Sequence, residues 1–213
     1  MRAASFPPPS QLGEPQEPKG ILESSNLENR KCVVYSCGSA GDFRFEDAIF
    51  ELHNGKCEIH VFDPAPSFER PGDAEKKNIH YHAWGFQSSY DDSNSVVWPK
   101  GRRGSFRTLA ETFKELGHEN TPIDIFKIDC EGCELSTHKD WIDHDIRQIL
   151  METHGVPNPQ GSQLSGGDRW YQKPFDLLQY YQDFLDRGYV LCTKKGTTNK
   201  QLKCLLVARD LVG

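Results

Sequence analysis

The acids of Ile123–Glu134 (IDIFKIDCEGCE) stand where chemistry could be done. Asp129, Glu131 and Glu134 follow directly on a dense apolar run, and carboxylates at such a break can orient an acceptor, take a proton or hold a cation. In open α/β sheets ligands bind outside the carboxyl ends of the strands, which makes Asp129 and Glu131 candidates. Glu134 suits the first turn of a following helix, where negative charge is favoured. A second tip, Glu152-Thr153-His154, closes the run RQILMETH, and His154 is the natural base because its unperturbed pKa lies near 6.5. Asp129, Glu131, Glu152 and His154 would also offer oxygen and nitrogen ligands to a divalent cation, but the metal-free reading is the one taken.

Two further features suit a nucleotide-type cofactor. A turn, Gly38-Ser39-Ala40-Gly41, follows the run KCVVYSC, and Asp63 ends the run CEIHVFD 25 residues after Gly38. An acid at the second strand tip, about 20 residues after a glycine turn, is where such cofactors have their ribose hydroxyls bound. The competing reading of Asp63 is an Asp-Pro turn starter.

These residues need a sheet to position them. Ile123, Ile125, Phe126 and Ile128 are too dense for a half-exposed strand and suit one covered on both faces. Before it come strands at KCVVYSCG, CEIHVFDP and IHYHAWGF, with a helix through Phe45, Ile49 and Leu52 that Asn54 and Gly55 stop. Thr108 and Glu111 have capping-box spacing for a helix that Gly117 closes. After it come a short helix over 135–143, the strand RQILMETHG, a helix from Pro174 to Gly188 and a closing pair, YVLCTKKG and KCLLVARD. Strands alternating with helices imply a largely parallel sheet with covered faces. Two connections, 87–105 and 156–173, are too long for ordinary loops, and their Tyr90, Trp98, Trp170 and Tyr171 are candidates to line an acceptor site.

Composition narrows the classes. The chain of 213 residues fits one domain, read as 21–213, behind a flexible proline-rich tail at 1–20. A net charge of −6 gives no footprint for nucleic acid or an anionic membrane, and the basic cluster Lys100, Arg102, Arg103 and Arg107 reads as a solvated loop. Seven cysteines without paired metal spacing indicate neither a disulfide framework nor a zinc site, so Cys130 and Cys133 are expected as core or loop thiols. His60, His80 and His82 are linked only by alternation and read as ordinary strand-face residues. With no apolar run of about 18 residues and no signal-peptide core, the chain as written reads as cytoplasmic, with a secretory lumen as the alternative if an upstream anchor was removed.

The segment KIDCEGCE resembles the K-I-D-x-E-G-x-E signature of FkbM-type S-adenosylmethionine-dependent methyltransferases, and CVVYSCGSAGDFRFE with HVFDP is similar to an animal methyltransferase-like group. The resemblance covers Lys31 to about Arg209. It implies the class I methyltransferase fold, a Rossmann-like α/β sheet of seven mostly parallel strands with an antiparallel last strand and helices on both faces. It also implies S-adenosylmethionine as cofactor, with Gly38, Ser36 and Ser39 along its methionine part, Asp63 at the ribose, Ala83 and Trp84 near adenine, and Asp129 at the reaction site. A small molecule or glycan is the implied acceptor. Where many members carry an acid two residues before the first glycine this chain has Ser36, leaving Asp42 or Asp129 to compensate. A catalytically silent binding domain is the alternative, and behind it a nicotinamide-dependent oxidoreductase, disfavoured because the turn lacks G-x-G-x-x-G.

Overall fold

A computed structural model describes residues 10–12, 19–21, 31–65, 67, 78–89, 105–130, 132–154, 177–198 and 201–208. Glu131, the four loop aromatics and the cluster Lys100, Arg102 and Arg103 lie outside these residues, as does the side chain of His154.

In chain order the strands are β1 (Ser10–Leu12), β2 (Lys19–Ile21), β3 (Cys32–Cys37), β4 (Cys57–Phe62), β5 (Ile79–His82), β6 (Trp84–Phe86), β7 (Ser105–Arg107), β8 (Ile123–Ile128), β9 (Ile146–His154), β10 (Tyr189–Thr198) and β11 (Gln201–Ala208). The helices are α1 (Arg44–Leu52), α2 (Leu109–Leu116), α3 (Cys133–Ser136), α4 (His138–Trp141) and α5 (Leu177–Asp186). The main sheet runs β10-β11-β9-β8-β3-β4-β5. Strands β9, β8, β3, β4 and β5 are mutually parallel, and β11 lies antiparallel between β9 and β10. This is a Rossmann-like arrangement. Strands β1 and β2 pair antiparallel, and β1 lies within the stretch read as a tail.

Side-chain alternation divides the sheet into two covered faces. Val33, Tyr35 and Cys37 join a cluster with Leu109 and Phe113 of α2 and Tyr180 and Phe184 of α5, whereas Cys32 and Val34 join Phe45 and Ile49 of α1 on the other side. All six residues of β8 are buried, as its apolar density requires. Thr108 and Glu111 form the capping box in both directions, and Gly117 ends α2 in the left-handed conformation.

Three expectations need correction. IHYHAWGF is not one strand: at Ala83 the chain leaves the main sheet, and β6 pairs in parallel with β7 instead. The helix expected over 135–143 is two single-turn helices, α3 and α4. Nor are Cys130 and Cys133 core or loop thiols: they are disulfide-bonded, and so are Cys32 and Cys57, while Cys37 is a free buried thiol. The Cys32–Cys57 bridge follows from register, since these residues face each other at the first rung of β3 and β4. Closing a loop with a sequence separation of 25 stabilises the fold by about 3.5 kcal/mol in the chain-entropy picture.

Candidate active site

The register of the parallel strands places most of the predicted site in one line. His82, Phe62, Cys37, Ile128 and Met151 form a single row across β5, β4, β3, β8 and β9. The residues that follow them are Ala83, Asp63, Gly38, Asp129 and Glu152. Backbone bonds carry the ladder one step into this second row: Asp63 N–H donates to the His82 carbonyl (3.1 Å), Gly38 N–H to Phe62 (2.9 Å) and Asp129 N–H to Cys37 (3.1 Å). With strands about 4.8 Å apart the line is roughly 19 Å long.

At its centre Gly38 has φ +79°, and a Cβ there would lie 1.7 Å from the Asp129 carbonyl oxygen. The glycine is therefore required by the approach of β8 to β3, before any ligand is considered. Lys127, buried on β8, donates through Nζ to the carbonyls of Gly38 (2.8 Å) and Cys37 (3.4 Å), tying the turn to the neighbouring strand. Burial pushes the Cys37 thiol well above its usual range, with Lys127 opposing the shift, so this thiol is an inert packing group.

Asp63 is buried and faces the turn. One carboxylate oxygen accepts the Ala40 N–H (3.0 Å) and the other the Ala65 N–H (3.0 Å). The second bond is the turn of the competing Asp-Pro reading; the first joins the acid to the glycine turn 23 residues away. Each oxygen keeps a lone pair for a further donor. Ser39 is buried beside this contact. Trp84 is engaged on the α2 side: its indole N–H donates to Thr112 Oγ1 (3.3 Å) and the Arg107 guanidinium lies 4.0 Å from its ring centroid. Glu134 is fully buried and accepts the Gly132 N–H (3.0 Å), in keeping with its place in the first turn of α3. Glu152 is buried at the tip of β9, and His154 is the last residue of that strand.

The position of the missing acid is informative. Ser36 is fully buried, and its hydroxyl has no hydrogen-bond partner among the described residues. Asp42, one expected substitute, is exposed and paired with Arg44. Glu46 was not singled out from the sequence. It is fully buried in the first turn of α1, and neither carboxylate oxygen has a partner among the described residues. Only the spacing of Phe45, Glu46 and Ile49 signalled it, by placing an acid on the apolar face of the helix.

A family model described as a methyltransferase domain matches residues 13–208. This chain belongs to that family. The probable methyltransferase-like protein 24 of Rattus norvegicus is 27% identical over 175 residues, which are 74% of this chain and 45% of that protein, so the chain spans about half the length of its curated relative. Among solved structures, the methyltransferase FkbM from Methylobacillus flagellatus KT is 16% identical, covers 83% of this chain and 43% of its own, and has a TM-score of 0.49. The N-terminal domain of EvdMO1 with SAH bound is 10% identical, covers 84% and 74%, and has a TM-score of 0.44. The match bears out the methyltransferase domain that KIDCEGCE led us to expect. Among the described residues no helix is long and apolar enough to cross a membrane.

Proposed function

We propose that this domain transfers a methyl group from S-adenosylmethionine to an oxygen of a small-molecule or glycan acceptor, using the seven-stranded class I arrangement over residues 21–213. The observation that carries the reading is the single row Ala83, Asp63, Gly38, Asp129 and Glu152 along the carboxyl edge. Asp63 holds the ribose hydroxyls with its remaining lone pairs, Ser36, Gly38 and Ser39 follow the methionine part, and Ala83 and Trp84 border the adenine. The orphaned Ser36 hydroxyl and Glu46 carboxylate fit a cationic amino-acid end. A buried carboxylate without a partner costs several kcal/mol, and an ammonium group would offset that cost. We therefore place the substitute for the missing acid at Glu46. Glu46→Gln is expected to weaken S-adenosylhomocysteine binding about tenfold in calorimetry without lowering stability; unchanged affinity would remove Glu46 from the site.

When bound, the cofactor supplies an electrophilic methyl group on a sulfonium. The protein's part is chiefly positioning, and holding the acceptor in line with that methyl can remove roughly 7–11 kcal/mol from the barrier. Asp129, Glu131 and Glu152 orient the acceptor at the tips of β8 and β9, and His154 takes its proton. For His154→Ala we expect turnover to drop about 100-fold with cofactor affinity unchanged, as general-base losses run. A large loss of affinity would instead put His154 in the cofactor site. Titration with S-adenosylmethionine, S-adenosylhomocysteine and NAD tests the whole reading: NAD binding without either sulfur nucleoside would overturn it. The two disulfides support an oxidising compartment as the place of action.

A further inference from the structure

We propose that Glu58, His60 and His118 form a divalent transition-metal site, with zinc the best-matched ion, on the sheet face away from α1 and apart from the cofactor edge. Glu58 and His60 share one face of β4, and His118 follows Gly117 at the end of α2. Counting along β4 at 3.3 Å per residue, Glu58 lies about 16 Å from Asp63, so this cluster is distinct from the methyl-transfer site.

Three potential ligand atoms converge. Glu58 Oε1 is 3.1 Å from His60 Nε2 and 4.0 Å from His118 Nε2, and the three lie within 4.8 Å of one another. Zinc bound at about 2.0–2.1 Å in a tetrahedral site separates its ligand atoms by about 3.4 Å, so side-chain adjustments below about an ångström would close the set. The other ring nitrogens already have partners. His60 Nδ1 is 2.8 Å from His82 Nε2, and His118 Nδ1 is 2.8 Å from the buried hydroxyl of Tyr35. Metal-binding histidines characteristically engage the second nitrogen in this way, which directs the Nε2 lone pair toward the ion.

At 4.0 Å from Glu58, His118 is too far for a direct hydrogen bond, leaving a gap that a metal would bridge. Two imidazoles and one carboxylate match a common three-ligand zinc set, with a fourth position left for water. The Glu58 side chain is 34% exposed and gives the ion an entry path. The site would pin the end of α2 to β4.

This proposal does not depend on methyl transfer, and its test reads the two separately. The full chain, stripped with chelator and dialysed, is titrated calorimetrically with zinc chloride, then with magnesium chloride, while S-adenosylhomocysteine binding is measured on the same samples. We expect one zinc per chain, no magnesium binding, at least a tenfold weaker zinc affinity in Glu58→Gln and His118→Ala, and about tenfold in Tyr35→Phe. His80→Ala, whose ring bonds to Asn78, should bind zinc as the wild type does. Glu58→Gln is partly exposed and conservative, so it stays informative if His118→Ala misfolds. Absence of zinc binding, or stoichiometric binding untouched by Glu58→Gln, would overturn the site.

Discussion

Gly38→Ala is expected to lower unfolding stability by about 3 kcal/mol or more, a large part of the roughly 5–15 kcal/mol that holds a domain of this kind folded. Two costs combine. The residue sits at φ +79°, where a side chain costs about 1–2 kcal/mol, and the added Cβ would meet the Asp129 carbonyl oxygen at 1.7 Å. That oxygen belongs to backbone at the end of β8, so relief requires the edges of β3 and β8 to part. Doing so would break the Asp129 N–H bond to Cys37 and loosen the two carbonyl contacts of Lys127. Gly117→Ala is the matched control: φ is +70° there, but nothing lies within 4 Å of the added carbon, so only the conformational cost of about 1 kcal/mol applies. Urea unfolding of both variants makes the comparison. If Gly38→Ala costs no more than Gly117→Ala, the close approach at the edge is not what holds the glycine turn.

The contrast shows why some of this fold could be read directly from residues. The buried strand at Ile123–Ile128 and the cap at Thr108 and Glu111 depend on neighbours in sequence, so local pattern was sufficient. The pairing of Gly38 with Asp63 was legible for a similar reason, since each ends an apolar run. What escaped depends on register. Cys32 and Cys57 each lie six residues before an edge residue, Gly38 or Asp63, and aligning those two edges brings the cysteines opposite each other. Cysteine spacing alone carries no such information. His118 joins Glu58 and His60 only because α2 packs over β3 and β4, and the split at Ala83 depends on β7 offering a second partner. Glu46 escaped because an acid on an apolar helix face looks like an error of pattern until it is seen that, among the described residues, neither its carboxylate nor the Ser36 hydroxyl of the sheet has a partner.

Asp63 carries two duties, and two variants can separate them. Its carboxylate accepts the Ala40 and Ala65 N–H groups, so Asp63→Ala strands two backbone donors and is expected to cost about 1–3 kcal/mol of stability. In the proposed complex the same carboxylate accepts two ribose hydroxyls, each a hydrogen bond to a charged group worth about 1.5–3 kcal/mol, so S-adenosylhomocysteine affinity should fall 100-fold or more. A purely structural acid would lower affinity only as far as the folded fraction fell. Asp63→Asn keeps an acceptor oxygen for one of the two turns but loses the charge. It should recover part of the stability and little of the affinity. Calorimetric titration at a temperature where both variants are folded reads the difference. If Asp63→Asn binds as tightly as the wild type, the acid serves the glycine turn alone, and the ribose must be held from elsewhere along the row.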